Sequence, residues 1–116
     1  MPTLDAIVTE LRAFTAERDW QQFHDPKNLA MLVASEAGEL LAEYRWIPNT
    51  ASDAHSTAAD SRARITAEIG DVGIALVLLC DRIGVDLTTA MSDKLAVNRE
   101  RYPPDKARGK ADRPEG

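Results

Sequence analysis

Glu36 and Glu39 form a Glu-x-x-Glu pair, and Glu68 and Asp71 form a second acidic pair with the same three-residue spacing. At 100° per residue, Leu29, Leu32, Val33, Leu40 and Tyr44 share one helical face, and Glu36 falls in its middle, four residues from both Leu32 and Leu40. Glu39 lies at the edge of that face, so the two acids can converge on one point. Glu68 likewise flanks the stripe between Ile65 and Val72, with Asp71 one short turn beyond. Burying four unpaired carboxylates costs several kcal/mol each or forces them to take up protons, so such a set requires a resident counter-charge. A hard divalent cation meets that need. Magnesium takes oxygen ligands, keeps some waters and binds phosphates, which suits these acids better than zinc, whose ligands here would be His and Cys.

A third segment adds polar groups to an inward stripe. Lys94 continues the face of Leu87, Ala90 and Met91, and Asn98 follows one turn later. A lone Glu-x-x-Glu on a helix is usually a solvated face. The inference rests on two such pairs intruding on apolar stripes together with a lysine and an asparagine doing the same.

The elements that must position these residues are helices. The first runs from Thr3 to about Arg18, with Leu4, Ile7, Val8, Leu11 and Phe14 at helical spacing, Thr3 as cap and Asp5 in the first turn. Asp25-Pro26 offers a capping side chain followed by a proline at the first helical position, so a second helix spans Pro26 to about Trp46. Residues 48–61 show no period and read as a mobile loop that closes in part over a ligand. A third helix runs from near Arg62 to Gly84, and a fourth from about Asp86 to Arg101. The fold class is therefore all-α, a four-helix bundle over residues 1–102, followed by a charged, flexible tail at 103–116.

Composition sets limits on the partners. The 116 residues are 44% hydrophobic with a net charge of −5, and the basic residues near the end (Lys106, Arg108, Lys110, Arg113) are scattered, so long nucleic acid is not an expected partner. A phosphorylated small molecule stays compatible because a metal supplies positive charge. Cys80 is the sole cysteine, no apolar run spans a membrane and the first ten residues lack a signal-peptide order, which together predict a cytoplasmic setting. The segment Ile74 to Cys80 is apolar on all sides, so both its faces are expected to be covered, within the subunit or by a neighbour. A domain this small leaves much surface to cover, and self-association is one way to do so.

The order Glu36-x-x-Glu39, twenty-eight intervening residues, then Glu68-x-x-Asp71 resembles the signature of the all-α nucleotide pyrophosphohydrolases. The flanks Arg18-Asp19-Trp20-Gln21-Gln22-Phe23-His24, Pro26-Lys27-Asn28-Leu29, Ser35 to Leu40, Trp46 and Asn98-Arg99-Glu100-Arg101-Tyr102-Pro103 resemble the MazG-like branch that contains the dCTP pyrophosphatase type. The resemblance implies a MazG-like four-helix bundle, assembled as a homodimer or homotetramer, that hydrolyses a nucleoside triphosphate to its monophosphate and pyrophosphate. It implies that Glu36, Glu39, Glu68 and Asp71 are the catalytic acids and hold Mg²⁺, with Mn²⁺ as a substitute, and that Glu36 or Glu39 also orients the attacking water. By the same resemblance Lys94 and Asn98 meet phosphate or sugar, with Arg101, Tyr102, Lys106 and Arg108 as further candidates at that end. Trp20, Phe23, His24 and Trp46 correspond to a base-binding group, although Phe23 and Trp46 fit simple core packing equally well. His55 reads as a solvated loop residue. Ala75 stands where relatives of the dCTP type often have tyrosine, the lysine-tyrosine tail ending is absent, and Leu11 offers no polar group, all of which imply a wider, less selective pocket for dCTP-like or modified pyrimidine nucleotides.

Two other readings use the same residues. A phosphoribosyl-ATP-type pyrophosphohydrolase shares the helices and acid pairs, but the Trp20 to His24 segment argues against it. A non-catalytic helical interaction protein would explain the charged stripes through partner contacts, and it predicts no pyrophosphate release from any triphosphate.

Overall fold

Three helix starts follow capping side chains. Thr3 Oγ1 accepts the backbone N–H of Ala6 at 3.1 Å, Asp25 Oδ1 that of Asn28 at 2.9 Å, and Asp86 Oδ2 that of Thr89 at 2.9 Å. In the computed structural model, which describes residues 1–111, these caps open α1 (Leu4–Glu17), α2 (Pro26–Ala42) and α5 (Leu87–Arg101). Between and beyond them lie α3 (Ser52–Thr57), α4 (Ala59–Ile83) and α6 (Pro104–Ala107), with 3₁₀ turns at Gln21–Phe23 and Asn49–Ala51. The described residues hold no strand, and none of their helices is long and apolar enough to cross a membrane. The all-α expectation holds, but with six helices among the described residues instead of four.

The chain divides into two units, Met1–Gly84 and Val85–Gly116. The division falls at Gly84, which closes α4 in the left-handed conformation (φ 74°), a geometry glycine adopts without a Cβ penalty, while its N–H bonds the Cys80 carbonyl. In the first unit the long α4 packs on α2, and residue order shows that they run antiparallel. Leu32 shares a cavity with Ile74 and Leu78, Glu36 meets Glu68 and Asp71, and Leu40 and Leu41 share a groove with Ile65 and Ile69. Among the described residues the buried apolar ones are Leu29, Ile65, Ala75 and Val77, and α1 lies along α4, tied to it by Arg12 and Asp81.

The segment after α2 departs most from the sequence reading. α2 ends at Ala42, four residues short of Trp46, because the chain tightens there: the N–H groups of Glu43 and Tyr44 bond the carbonyls of Leu40 and Leu41 in short turns. The Glu43 carbonyl, which a longer helix would use for itself, pairs instead with His55 Nε2 at 2.8 Å. Tyr44 and Ser56 join hydroxyls at 2.6 Å, and the Tyr44 and His55 rings meet edge to face. Residues 48–61, expected as an irregular loop, thus contain α3, and α4 begins at Ala59 instead of near Arg62. His55 is a half-buried packing residue and not a solvated one. Ser61, buried at the start of α4, donates to the His55 carbonyl and to that of Ala58, which seats α3 on α4.

Within the segment Ile74 to Cys80, the chain itself buries only Ala75 and Val77, and Ile74 stays exposed. In the second unit the short α6 follows Pro103, where the sequence predicts a flexible tail; residues 112–116 of that tail lie outside the described residues.

Candidate functional site

The middle of the α2–α4 pair brings carboxylates from two helices together. Oxygens of Glu36, Glu68 and Asp71 all lie within 4.8 Å of one another. Glu36 and Glu68 are half-buried and Asp71 is exposed, so the cluster opens outward on the α4 side. Antiparallel packing explains the meeting. The three-residue step from Glu68 to Asp71 keeps both on one side of α4, opposite the turn of α2 that carries Glu36.

Charge accumulates there. Burial pushes the Glu68 carboxyl above the ordinary glutamate range, and the charges of Asp71, Glu39, Glu36 and Glu43 add to the rise. Arg64, one turn before Glu68, is committed to Glu43 at 2.8 Å. The donor set fits a hard divalent cation: all ligands are oxygens, and oxygens on one ion at about 2.0–2.6 Å lie no farther apart than about twice that distance. Glu39 is exposed and stands outside the group whose oxygens converge, although its charge still acts on Glu68.

The residues read as a base-binding group divide into two places. Trp20 and His24 line a cavity of about 430 Å³ with Ile7, Leu11, Phe14, Leu32 and Ile74, and the Trp20 ring meets Phe14 edge to face at 5.5 Å. Phe23 and Trp46 do not line that cavity and are 60% and 84% exposed, so neither packs in a core of this chain. Arg45 lies over the Trp46 ring. The cavity sits one helical turn from the acids on both helices, because Leu32 precedes Glu36 by four residues and Ile74 follows Asp71 by three.

In the second unit, Lys94 and Asn98 share one face of α5 and line a shallow groove with Ala90, Met91, Ser92 and Leu95. Tyr102 is half-buried and closes α5 through its N–H to the Asn98 carbonyl, and Arg101 occupies the last helical position. One lining residue was missed in the sequence. Glu10 also borders the 430 Å³ cavity, and its signal was available, since it lies three residues after Ile7 and four before Phe14.

The MazG-like family pattern matches residues 33–113. The chain is 41% identical over 110 residues to dCTP pyrophosphatase 1 of Mus musculus, covering 95% of this chain and 65% of that protein. It is 40% identical over 107 residues to dCTP pyrophosphatase 1 of Homo sapiens, covering 92% of this chain and 63% of that one. The chain therefore spans slightly less than two thirds of the length of these relatives. A crystal structure of a pyrophosphatase from Archaeoglobus fulgidus DSM 4304 superposes with a TM-score of 0.81 at 29% identity, covering 89% of this chain and 94% of that one.

Proposed function

The chain belongs to the MazG-like family, and on that premise we propose that it hydrolyses a nucleoside triphosphate, dCTP-like or a modified pyrimidine, to the monophosphate and pyrophosphate. The observation that carries the reading is the convergence of Glu36, Glu68 and Asp71 oxygens beside an apolar cavity of about 430 Å³, which has room for a nucleobase. The relatives named as dCTP pyrophosphatases support the reaction class and the pyrimidine preference. Such an activity removes unwanted nucleotides from the precursor pool.

Glu36, Glu68 and Asp71 would hold a divalent cation, Mg²⁺ or Mn²⁺, with Glu39 at their edge. When bound, that ion neutralises phosphate charge and activates water. The remaining work falls to the protein. The acids fix where the triphosphate lies, the half-buried Glu36 or the outer Glu39 accepts a proton from the attacking water, and one P–O bond between the α and β phosphates breaks as one forms to water. Trp20 and His24 hold the base in the cavity, and stacking on the indole contributes affinity without choosing among bases. Lys94 and Asn98 meet phosphate or sugar, with Arg101 and Tyr102 as further contacts, and Phe23 and Trp46, exposed outside the cavity in the single chain, would reach a base only from a neighbouring subunit.

A homodimer or homotetramer is part of the same reading. Leu41 and Ile69 on one groove of the first unit, and Met91, Leu95 and Val97 on α5, are all exposed, and apolar surface of that kind is ordinarily covered by a partner. Purified protein incubated with a panel of canonical and modified triphosphates plus Mg²⁺ tests the function. Pyrophosphate appearing in step with monophosphate supports it, and no pyrophosphate from any nucleotide overturns it.

A further inference from the structure

The 430 Å³ cavity between α1, the Gln21–Phe23 turn, α2 and α4 has an almost wholly apolar wall. Its polar exceptions are Glu10, Thr15 and His24. The Thr15 hydroxyl is spent as a donor on the carbonyls of Leu11 and Arg12, at 3.0 and 3.1 Å. Glu10 is different. Among the described residues it has no hydrogen-bond or ion-pair partner, although the i, i+3, i+4 spacing sets it between Ile7 and Phe14 on the stripe that faces the cavity. A solvent-exposed carboxylate on an otherwise apolar wall is an acceptor that a donor on a ligand in the cavity can meet.

The cavity lies about 5 Å along the helix axes from the acid cluster, roughly one turn. This inference rests on the reading of that cluster as a triphosphate site, which puts the base of the same nucleotide in the cavity. We propose that Glu10 reads the base edge, accepting a hydrogen bond from an exocyclic amino group, and so selects amino-bearing bases over oxo-bearing bases of the same size. An ionised carboxylate offers acceptors only. An amino group in reach gives a charge-assisted N–H···O bond, whereas a carbonyl oxygen in the same place sets acceptor against acceptor and leaves both unpaired. Selectivity thus arises as much from rejection as from attraction. Because Glu10 is exposed to solvent, the expected discrimination is on the order of tenfold, far below that of a sealed site.

The test compares dCTP with dUTP, which share sugar, phosphates and ring size and differ at the 4-substituent and the neighbouring ring nitrogen. Wild-type protein with Mg²⁺ is expected to favour dCTP in kcat/KM by roughly tenfold. Glu10→Gln, whose amide both donates and accepts, is expected to bring the ratio near one, mainly by raising KM for dCTP. Titration calorimetry with dCMP and dUMP gives a second readout that needs no turnover, and the same preference and the same collapse in Glu10→Gln are expected. A wild-type ratio near one, or a ratio that Glu10→Gln leaves intact, overturns the proposal. Loss of all pyrophosphate release in the wild type overturns the enzymatic reading instead, and the monophosphate titrations then decide the role of Glu10, with failure of both to bind counting against it.

Discussion

Arg12 on α1 donates through both Nε and Nη2 to the carboxylate of Asp81 on α4, so a two-pronged ion pair fixes how α1 lies along the longest helix. The pair matters for the site because α1 supplies Ile7, Glu10, Leu11, Phe14 and Thr15 to the cavity wall. The hydrogen bond from Arg12 holds the Asp81 carboxyl below the ordinary aspartate range against the opposing effect of burial, and the guanidinium charge adds to it.

The first prediction concerns acid. A depressed folded-state value means that the pair stabilises the protein above the ordinary aspartate pKa of about 3.9, and that this stabilisation is lost as pH falls through the lower folded value. Asp81→Asn should therefore melt a few degrees below wild type near neutrality, with the gap closing in strong acid. Arg12 is solvent-exposed, so the effect stays small. Thermal melts of both proteins from neutral pH downward check this, and a gap that widens in acid would contradict it.

The acid cluster makes the second prediction, on turnover. Glu36→Gln and Asp71→Asn each replace a converging carboxylate with a neutral amide and should lower kcat more than about 100-fold. Glu39→Gln, which alters charge at the edge of the group, should cost about 10- to 100-fold, the scale of supporting groups around a metal. Pyrophosphate release at saturating Mg²⁺ measures all three. Equal losses at Glu39 and Glu36 would place Glu39 inside the ligand set.

The third prediction tests the seam between α2 and α3. His55→Ala leaves the Glu43 carbonyl without its side-chain donor, a loss of about 1–2 kcal/mol. Tyr44→Phe, which removes the hydroxyl bonded to Ser56, should cost about 0.5–1.5 kcal/mol. Urea unfolding measures both, and an unaffected midpoint in both variants would show that the seam contributes nothing.

The four longer helices and the meeting of Glu36 with Glu68 and Asp71 were legible because they are written in local periodicity. Thr3, Asp25 and Asp86 announce their helices through short-range chemistry, and Glu36 betrays itself by occupying a leucine position. The early end of α2 was not legible. It depends on His55 and Ser56 returning from twelve residues away to pair with Glu43 and Tyr44, and no helical period encodes that return. The exposure of Trp46 and Phe23 was hidden for a similar reason, since an aromatic residue beside a turn has the same sequence signature whether or not a core lies beneath it. Glu10 was legible in principle, by the argument that found Glu36, but it sits at the edge of its stripe instead of the centre.

The final prediction follows from the raised Glu68 carboxyl. Burial and four neighbouring acids make its ionised form unfavourable in the metal-free fold. With the folded value above the unfolded one, relative stability is full below the ordinary glutamate pKa of about 4.3 and is lost as pH rises through the folded value. Glu68→Gln cannot ionise and escapes that loss. In chelator at neutral pH the variant should melt a few degrees above wild type, and the advantage should fade as pH approaches 4. Saturating Mg²⁺ should reverse the order, because an ion that binds only the folded state stabilises the wild type by mass action and finds an incomplete site in the variant. Four melts, two proteins with chelator or with Mg²⁺, measure the crossing. If Glu68→Gln is the less stable protein in chelator, or gains as much from Mg²⁺ as wild type does, then Glu68 is neither strained by its neighbours nor relieved by a cation.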